Sequence, residues 1–261
     1  MNERVDFSAN ADVYDRRHGA AISDDGLDRL WTAAGLRAGR HVLDVGAGTG
    51  RVAIPLARRG CHVVAVEPAR GMLAQLREKA GEHVVWPVMA EGARIPFPDG
   101  RFDVVVVARL LYLTPDWRGI LQEANRVLAA GGCLLHEWGN GELDEEWVQI
   151  REEARRLFEQ AGVRAPFHPG VRSEAEVDAE LLALRLKLES RLDSGPGPVI
   201  TLREFLRRLV EGELSYVWSV PEDVRTDCLP RLQQWATERF DFERPVPMPR
   251  VLGWTIHRKP Q

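Results

Sequence analysis

Two hydrophobic patterns alternate along the first half of the chain. Short apolar runs favour β-strands, and between them apolar residues recur three and four positions apart, as in helices packed on one face. The predicted strands are Val42–Val45, Val63–Val66, Val84–Val88, Val104–Ala108 and Cys133–Trp138. The run from Val104 is unbroken, which predicts a strand buried on both faces. Five alternations of strand and helix are typical of a doubly wound parallel sheet.

The alternation stops after Trp138. A long charged helix is predicted at Asp144–Ala161, and Ser-x-x-Glu or Thr-x-x-Glu boxes begin helices at Ser173 and Thr201. Pro221 opens a further helix that Pro230 should kink or split, and Pro245-x-Pro247-x-Pro249 is typical of a linker. Strand patterns return at Leu184–Leu188 and at Val251–His257, and we expect the latter at a sheet edge.

These patterns predict an α/β fold. We expect a doubly wound, mostly parallel seven-stranded sheet with a mainly helical cap insertion over the carboxyl ends of the strands. The predicted organisation is a core at 1–139, a cap helix segment at 140–169, a core helix and strand at 170–194, a helical cap at 195–248 and a final core strand at 249–261.

The candidate chemistry begins at a glycine-rich turn directly after the first strand. Gly46, Gly48 and Gly50 alternate there and lead into a predicted helix. Glycine allows a ligand to approach the backbone closely, and the N–H groups of the following helix favour polar or anionic ligands. Glu67 ends the second strand about twenty residues later, the spacing at which a carboxylate accepts hydrogen bonds from ribose hydroxyls.

Composition excludes several classes of function. A net charge of −4 predicts no nucleic-acid partner, and no apolar run is long enough to predict a membrane span. Cys61, Cys133 and Cys228 are widely separated, so we expect a reducing, cytoplasmic location and neither a disulfide framework nor a zinc site. Residues 1–22 are polar, which favours a solvated leader over a segment that folds across the site.

Four segments in order resemble the class I S-adenosylmethionine-dependent methyltransferases, specifically the small-molecule group often labelled type 11. They are Leu43–Gly50, Val66–Pro68 with Met72, Glu91–Asp103, and Arg126–Gly132. The resemblance covers about half the chain, from Tyr14 to Trp138, and implies a Rossmann-like methyltransferase fold. It also implies methylation of a small molecule with S-adenosyl-L-methionine as cofactor. We expect a monomer or homodimer.

The resemblance assigns individual residues to the cofactor. Glu67 would bind the ribose hydroxyls, Met72 would pack near the adenine, and Glu91 occupies the place of the family's usual Asp. The complete implied set is Tyr14, Asp44, Gly46, Ala47, Gly48, Glu67, Pro68, Met72, Glu91 and Gly92.

The acceptor is expected at the ends of the fourth and fifth strands, where Arg109, Tyr112 and His136 are the candidate catalytic residues. His136 is interpreted either as a base for a hydroxyl acceptor or as a structural histidine. The activated methyl group belongs to the cofactor, so we expect direct in-line transfer and no covalent enzyme intermediate.

Two other classes of function remain open. A nicotinamide-dependent oxidoreductase uses Gly-x-Gly-x-x-Gly, and Arg51 occupies the place of its third glycine. A cofactor-binding module without catalysis would keep the same glycine turn, since a fold alone does not establish chemistry.

Overall fold

The computed structural model describes residues 7–18, 21–81, 85–138, 145–163, 170–193, 199–213, 217–218, 220–247 and 253–261. The chain divides into two compact units. One comprises Phe7–Asn140, Pro169–Ser194 and Leu252–Gln261, and the other comprises Met1–Asp6, Gly141–His168 and Gly195–Val251.

Strands and helices are numbered in chain order. The strands are β1 (His41–Val45), β2 (His62–Val66), β3 (Val85–Val88), β4 (Phe102–Ala108), β5 (Leu128–Glu137), β6 (Lys187–Leu192), β7 (Val199–Thr201), β8 (Pro245–Pro247) and β9 (Trp254–Arg258). The α-helices are α1 (Ala11–His18), α2 (Asp24–Ala33), α3 (Ala53–Arg58), α4 (Arg70–Ala80), α5 (Trp117–Val127), α6 (Glu145–Gln160), α7 (Glu174–Ala183), α8 (Leu202–Val210) and α9 (Glu222–Thr237).

The first unit contains a seven-stranded sheet in the order β3-β2-β1-β4-β5-β9-β6. The strands from β1 to β5 pair in parallel, and β9 runs antiparallel to both of its neighbours. This confirms the doubly wound, mostly parallel fold. The strand order reverses beside β1, and ligands bind at such a switch point, outside the carboxyl ends of the strands.

The central strands are buried on both faces, as the valine runs predict. Val42 and Leu43 are both fully buried, although they point to opposite sides of the sheet. One face packs against apolar residues of α2, α3 and α4, and the other packs against α5 and α7. Layers on both faces hold the carboxyl ends of the strands in fixed register.

Two strand predictions near the sheet edge are wrong. The final strand, β9, lies between β5 and β6 and is not an edge. The leucine alternation starts too early, because Leu184 and Leu186 close α7 and Arg185 adopts a φ of +65°. The backbone N–H of Leu186 donates to the carbonyl of Leu181 at 2.9 Å. Leu188 then lies in the edge strand β6, where it is exposed.

The second unit is mainly helical in its described part. Trp147 of α6 and Phe205 of α8 pack with ring centroids 4.1 Å apart, and the Thr201 hydroxyl accepts the N–H of Glu204 to cap α8. Pro230 does not split α9, which runs continuously from Glu222 to Thr237.

The predicted proline linker is partly a strand. Pro245–Pro247 pairs with Val199–Thr201 as a two-stranded antiparallel sheet, and Pro249 lies outside the described residues. The arrangement of the helical unit over the strand ends stays a prediction. Within the ranges described, no helix is long and apolar enough to cross a membrane.

Candidate functional site

The glycine turn between β1 and α3 is held by the end of β2. The backbone N–H groups of Gly46 and Ala47 both donate to the carbonyl of Val66, at 2.8 and 3.1 Å. Gly46 and Gly48 adopt φ values of +69° and +54°, which glycine tolerates and other residues resist. The turn is therefore fixed against the sheet with its backbone in a conformation set by glycine.

The two glycines serve different purposes. A Cβ atom on Gly46 would lie 2.7 Å from Leu110 Cδ2, so packing after β4 excludes a side chain there. At Gly48 the nearest atom to an added Cβ would be Tyr14 Cε1, at 3.8 Å. The space in front of Gly48 is open, and a ligand can approach the backbone there.

Glu67 is fixed beside this turn at the carboxyl end of β2. Its Oε2 accepts the N–H of Gly48 at 3.1 Å, and its Oε1 accepts the N–H of Ala69 at 2.9 Å. Burial raises the pKa of this carboxyl, while the two backbone hydrogen bonds lower it. Each oxygen retains a second lone pair, so the carboxylate can still accept hydrogen bonds from a ligand.

Asp44 lies beneath the turn and is only 2% exposed. Burial raises the pKa of Asp44 to about 7, against the opposing effects of Arg51 and of a hydrogen bond from the Ala53 N–H. Because the carboxyl group is enclosed by these partners, Asp44 acts on the site through its charge more than through exposed surface.

Residues 7–18 are not a solvated leader. Tyr14 belongs to α1, and Asp12 Oδ1 accepts a 2.5 Å hydrogen bond from Gln75 in α4. The N–H of Gly71, also in α4, donates to Ser8 Oγ at 3.1 Å. These contacts fix the segment beside the glycine turn and place Tyr14 next to Gly48.

The remaining predicted cofactor residues fall into two groups. Pro68 and Glu91 are exposed at the ends of β2 and β3. Met72 is only 2% exposed, so the structure does not support its predicted contact with an adenine. Gly92 is also buried, and a Cβ on it would lie 2.9 Å from Val45 Cγ1. Packing of the sheet therefore explains this glycine better than a ligand does.

The predicted base role of His136 is not supported by its surroundings. Its side chain is 1% exposed, and its Nδ1 is buried with no hydrogen-bond partner in the part of the chain that the structure describes. Burial, together with the charges of His257 and Arg191, lowers the pKa of His136 to about 3. A neutral imidazole in this position accepts a proton poorly at neutral pH.

The sequence predicts Arg109 as a candidate site residue at the end of β4, but it does not predict the partly buried ion cluster that Arg109 forms with Glu137 and Arg51. Arg51, directly after the glycine turn, pairs with Glu137 Oε2, and Arg109 Nη2 lies 3.2 Å from Glu137 Oε1. Burial and the charge of Arg109 lower the pKa of Arg51 to about 10, while Tyr14 and Tyr112 act in the opposite direction. The sequence feature that could have predicted this cluster is the position of Glu137 at the end of the fifth strand, because the carboxyl ends of parallel strands meet at one edge of the sheet.

The described residues contain no group of three or more histidine, cysteine, aspartate or glutamate side chains arranged to hold a metal ion. All three cysteines are buried and unpaired. The assembled site is therefore a glycine turn with one ordered carboxylate on β2 and a guanidinium–carboxylate cluster on β4 and β5.

Comparisons with known proteins identify the same region. Residues 43–136 match the family described as methyltransferase domain. The chain is 37% identical over 135 residues to a demethylmenaquinone methyltransferase of Clavibacter sepedonicus, covering 49% of this chain and 54% of that protein. The chain thus spans about half the length of the curated relatives it matches.

Solved structures share the fold over more of the chain. The YcgJ protein of Bacillus subtilis is 20% identical with a TM-score of 0.62, covering 92% of this chain and 100% of that one. The phosphoethanolamine N-methyltransferase 2 of Haemonchus contortus is 16% identical with a TM-score of 0.57, covering 97% of this chain and 58% of that one. That structure contains phosphomonomethylethanolamine and S-adenosylhomocysteine.

The sheet unit is a Rossmann-like methyltransferase domain. Residues 43–136 of this unit match the methyltransferase domain family, and through this segment the chain is similar to the class I S-adenosylmethionine-dependent methyltransferases.

Proposed function

We propose that the protein transfers a methyl group from S-adenosylmethionine to a small-molecule acceptor, directly and in line. The observation that carries the proposal is the coupling of the glycine turn to Glu67, whose carboxylate is positioned by the Gly48 and Ala69 N–H groups. The matched family and the ligand in the Haemonchus contortus structure support the choice of cofactor.

The residues of the turn fit such a cofactor. Gly48 leaves open space for the methionine part, and Glu67 offers lone pairs to the ribose hydroxyls. Tyr14 lies over the turn from α1. When bound, the cofactor supplies an activated methyl group on a sulfonium. The protein contributes binding, orientation and the electrostatic environment of the acceptor.

Detection of transferred methyl groups tests the proposal. Purified protein is incubated with S-adenosylmethionine carrying an isotopic label in its methyl group and with mixtures of small acceptors, and products are identified by mass spectrometry. Labelled products that require the protein support the proposal. Binding of the cofactor without transfer to any acceptor class would favour the cofactor-binding module.

Direct transfer predicts that the cysteines are dispensable. Burial raises the pKa of Cys61 and Cys133 to about 11, and Cys228 is also buried, so these thiols are poor nucleophiles. A triple Cys→Ala variant should keep methyl transfer within about twofold per folded molecule, since it removes no charged or hydrogen-bonded group of the site. Loss of methyl transfer in the folded triple variant, or a methylated cysteine in the wild type, would contradict direct transfer.

The raised pKa of Asp44 predicts that the affinity for the cofactor depends on pH. Burial raises its pKa to about 7, and a cationic ligand favours the ionised carboxylate. Binding of S-adenosylmethionine should therefore release a proton near neutral pH, and affinity should rise from pH 6 to about 7.5. Calorimetry in buffers of different ionisation enthalpy measures the released proton.

Two comparisons isolate the contribution of Asp44. Asp44→Asn removes the titrating group and should flatten the pH profile. S-adenosylhomocysteine lacks the sulfonium charge and should show a shallower profile with the wild type. An unchanged profile in the Asp44→Asn protein would assign the proton to another group.

A further inference from the structure

The ion cluster at the ends of β4 and β5 contains two cations and one anion. Glu137 is 3% exposed and pairs with both Arg51 and Arg109. The side chains of Arg51 and Arg109 are 16% and 24% exposed. One carboxylate therefore compensates two guanidinium charges in a partly desolvated space.

Among the residues described, the nearby acid Asp44 does not fully neutralise the second guanidinium charge. The charge of Asp44 also acts on Arg51, and the raised pKa of Asp44 leaves its carboxyl group only partly ionised near pH 7. Arg109 Nε is buried and has no hydrogen-bond partner among the residues described. An unpaired guanidinium nitrogen in a cluster of two cations and one anion is suited to an anionic ligand.

The cluster is fixed next to the cofactor turn. Arg109 adopts a φ of +53°, and its N–H donates to the carbonyl of Glu137 at 2.9 Å. The next residue, Leu110, fills the space over Gly46. Arg109 is therefore held by β5 on one side and by the glycine turn on the other.

The cluster lies on the far side of β1 from Glu67. In the order β2-β1-β4-β5, three strand spacings separate the strands of Glu67 and Glu137, or roughly 14 Å at the usual interstrand distance. The predicted cofactor residues Asp44 and Glu67 lie on β1 and at the end of β2, whereas Arg109 and Glu137 lie at the ends of β4 and β5, where the acceptor is expected.

We propose that Arg51 and Arg109 bind an anionic oxygen of the methyl acceptor, which makes the acceptor class a phenol, an enol or a carboxylic acid. This inference rests on the proposed methyl transfer and specifies its substrate. An acceptor that binds already ionised has no proton to lose, so the transfer does not need His136 as a base.

The transfer step is balanced for such an acceptor. The anionic oxygen forms a bond to the methyl carbon while the carbon–sulfur bond breaks. The electron pair of that bond passes to the sulfur, which becomes a neutral thioether. No proton remains to be removed, and two nearby cations favour the ionised acceptor by lowering its pKa by about 1–3 units.

The test uses 4-nitrophenol as the probe and the full chain saturated with S-adenosylhomocysteine. This ligand occupies the cofactor site and supplies the carboxylate that the cofactor itself would carry. Neutral and ionised 4-nitrophenol absorb at different wavelengths, so a spectral titration measures the pKa of the bound probe. We expect the wild type to lower that pKa by about one unit or more. Arg109→Gln should remove this effect and weaken binding of the ionised probe about tenfold or more.

Matched variants separate charge from folding. Arg109→Lys keeps a cation and should recover part of the affinity. Arg118→Gln removes an arginine from α5 that pairs with Glu180, and it should behave as the wild type. The neutral ether 4-nitroanisole should bind equally to all four proteins, because it carries no anionic oxygen.

Two results would overturn the inference. An equal pKa shift and affinity in wild type and Arg109→Gln would make the cluster purely structural. A tenfold loss of S-adenosylhomocysteine affinity in Arg109→Gln, absent for the decarboxylated analogue, would assign the anion to the cofactor's own carboxylate. Failure of the wild type to bind S-adenosylhomocysteine would instead contradict the proposed function.

Discussion

Glu67→Ala should weaken binding of S-adenosylmethionine about 10- to 100-fold. Hydrogen bonds to an ionised group contribute on the order of 1.5–3 kcal/mol, and about 1.4 kcal/mol corresponds to a factor of ten in affinity. The variant loses the acceptor for the ribose hydroxyls. It also leaves the N–H groups of Gly48 and Ala69 without their carboxylate partner. Calorimetric titration of the purified proteins measures the change.

The control for Glu67 is a glutamate that takes no part in the site. Glu78 is exposed on α4, so Glu78→Ala should bind the cofactor as the wild type does. A thermal unfolding scan of each protein establishes that the folded fraction is unchanged. Wild-type affinity in a folded Glu67→Ala protein would remove the ribose assignment.

Much of the sheet could be predicted from local patterns. The valine runs at Val63–Val66 and Val104–Ala108 lie within β2 and β4, because a strand buried on both faces has almost no polar positions. The glycine turn follows β1 as expected, since positive φ values at Gly46 and Gly48 leave few other residues possible. These features depend on neighbours in sequence and can be recognised there.

The rest of the site depends on contacts between distant segments. Arg51 and Glu137 are 86 residues apart and form a pair only because β1 and β5 end at the same edge of the sheet. The position of α1 depends on contacts from Ser8 and Asp12 to α4, which polar composition does not reveal. The wrong interpretation of Leu184 and Leu186 arises because leucines two positions apart in sequence fit the end of a helix as well as a strand.

His136 illustrates the same limit and leads to a prediction about acid stability. Its place near the end of β5 suggested a base, whereas the structure encloses it against His257 and Trp138. In the folded protein the pKa of His136 is about 3, against 6.5 in an unfolded chain. Below pH 6.5 the unfolded state therefore binds a proton that the folded state does not accept.

The direction in which stability changes with pH follows from this difference in the number of bound protons. The contribution of His136 to the free energy of unfolding is fully present above pH 6.5. It is lost as the pH falls from 6.5 toward 3, by about 1.4 kcal/mol per pH unit and by up to about 5 kcal/mol in total. Between pH 7.5 and 5.5 the contribution of His136 amounts to about 1.4 kcal/mol. Denaturant titrations across this interval measure the free energy of unfolding at each pH.

Variants without a titrating group at position 136 isolate the effect. His136→Gln and His136→Leu differ in polarity and should differ in absolute stability, yet both should lose about 1.4 kcal/mol less than the wild type between pH 7.5 and 5.5. His257, whose pKa is lowered by burial against the opposing charge of Asp178, remains in all three proteins and supplies a common background. If both variants keep the wild-type slope, His136 takes up its proton over the same pH range in the folded and the unfolded protein, and the base assignment for a hydroxyl acceptor becomes tenable again.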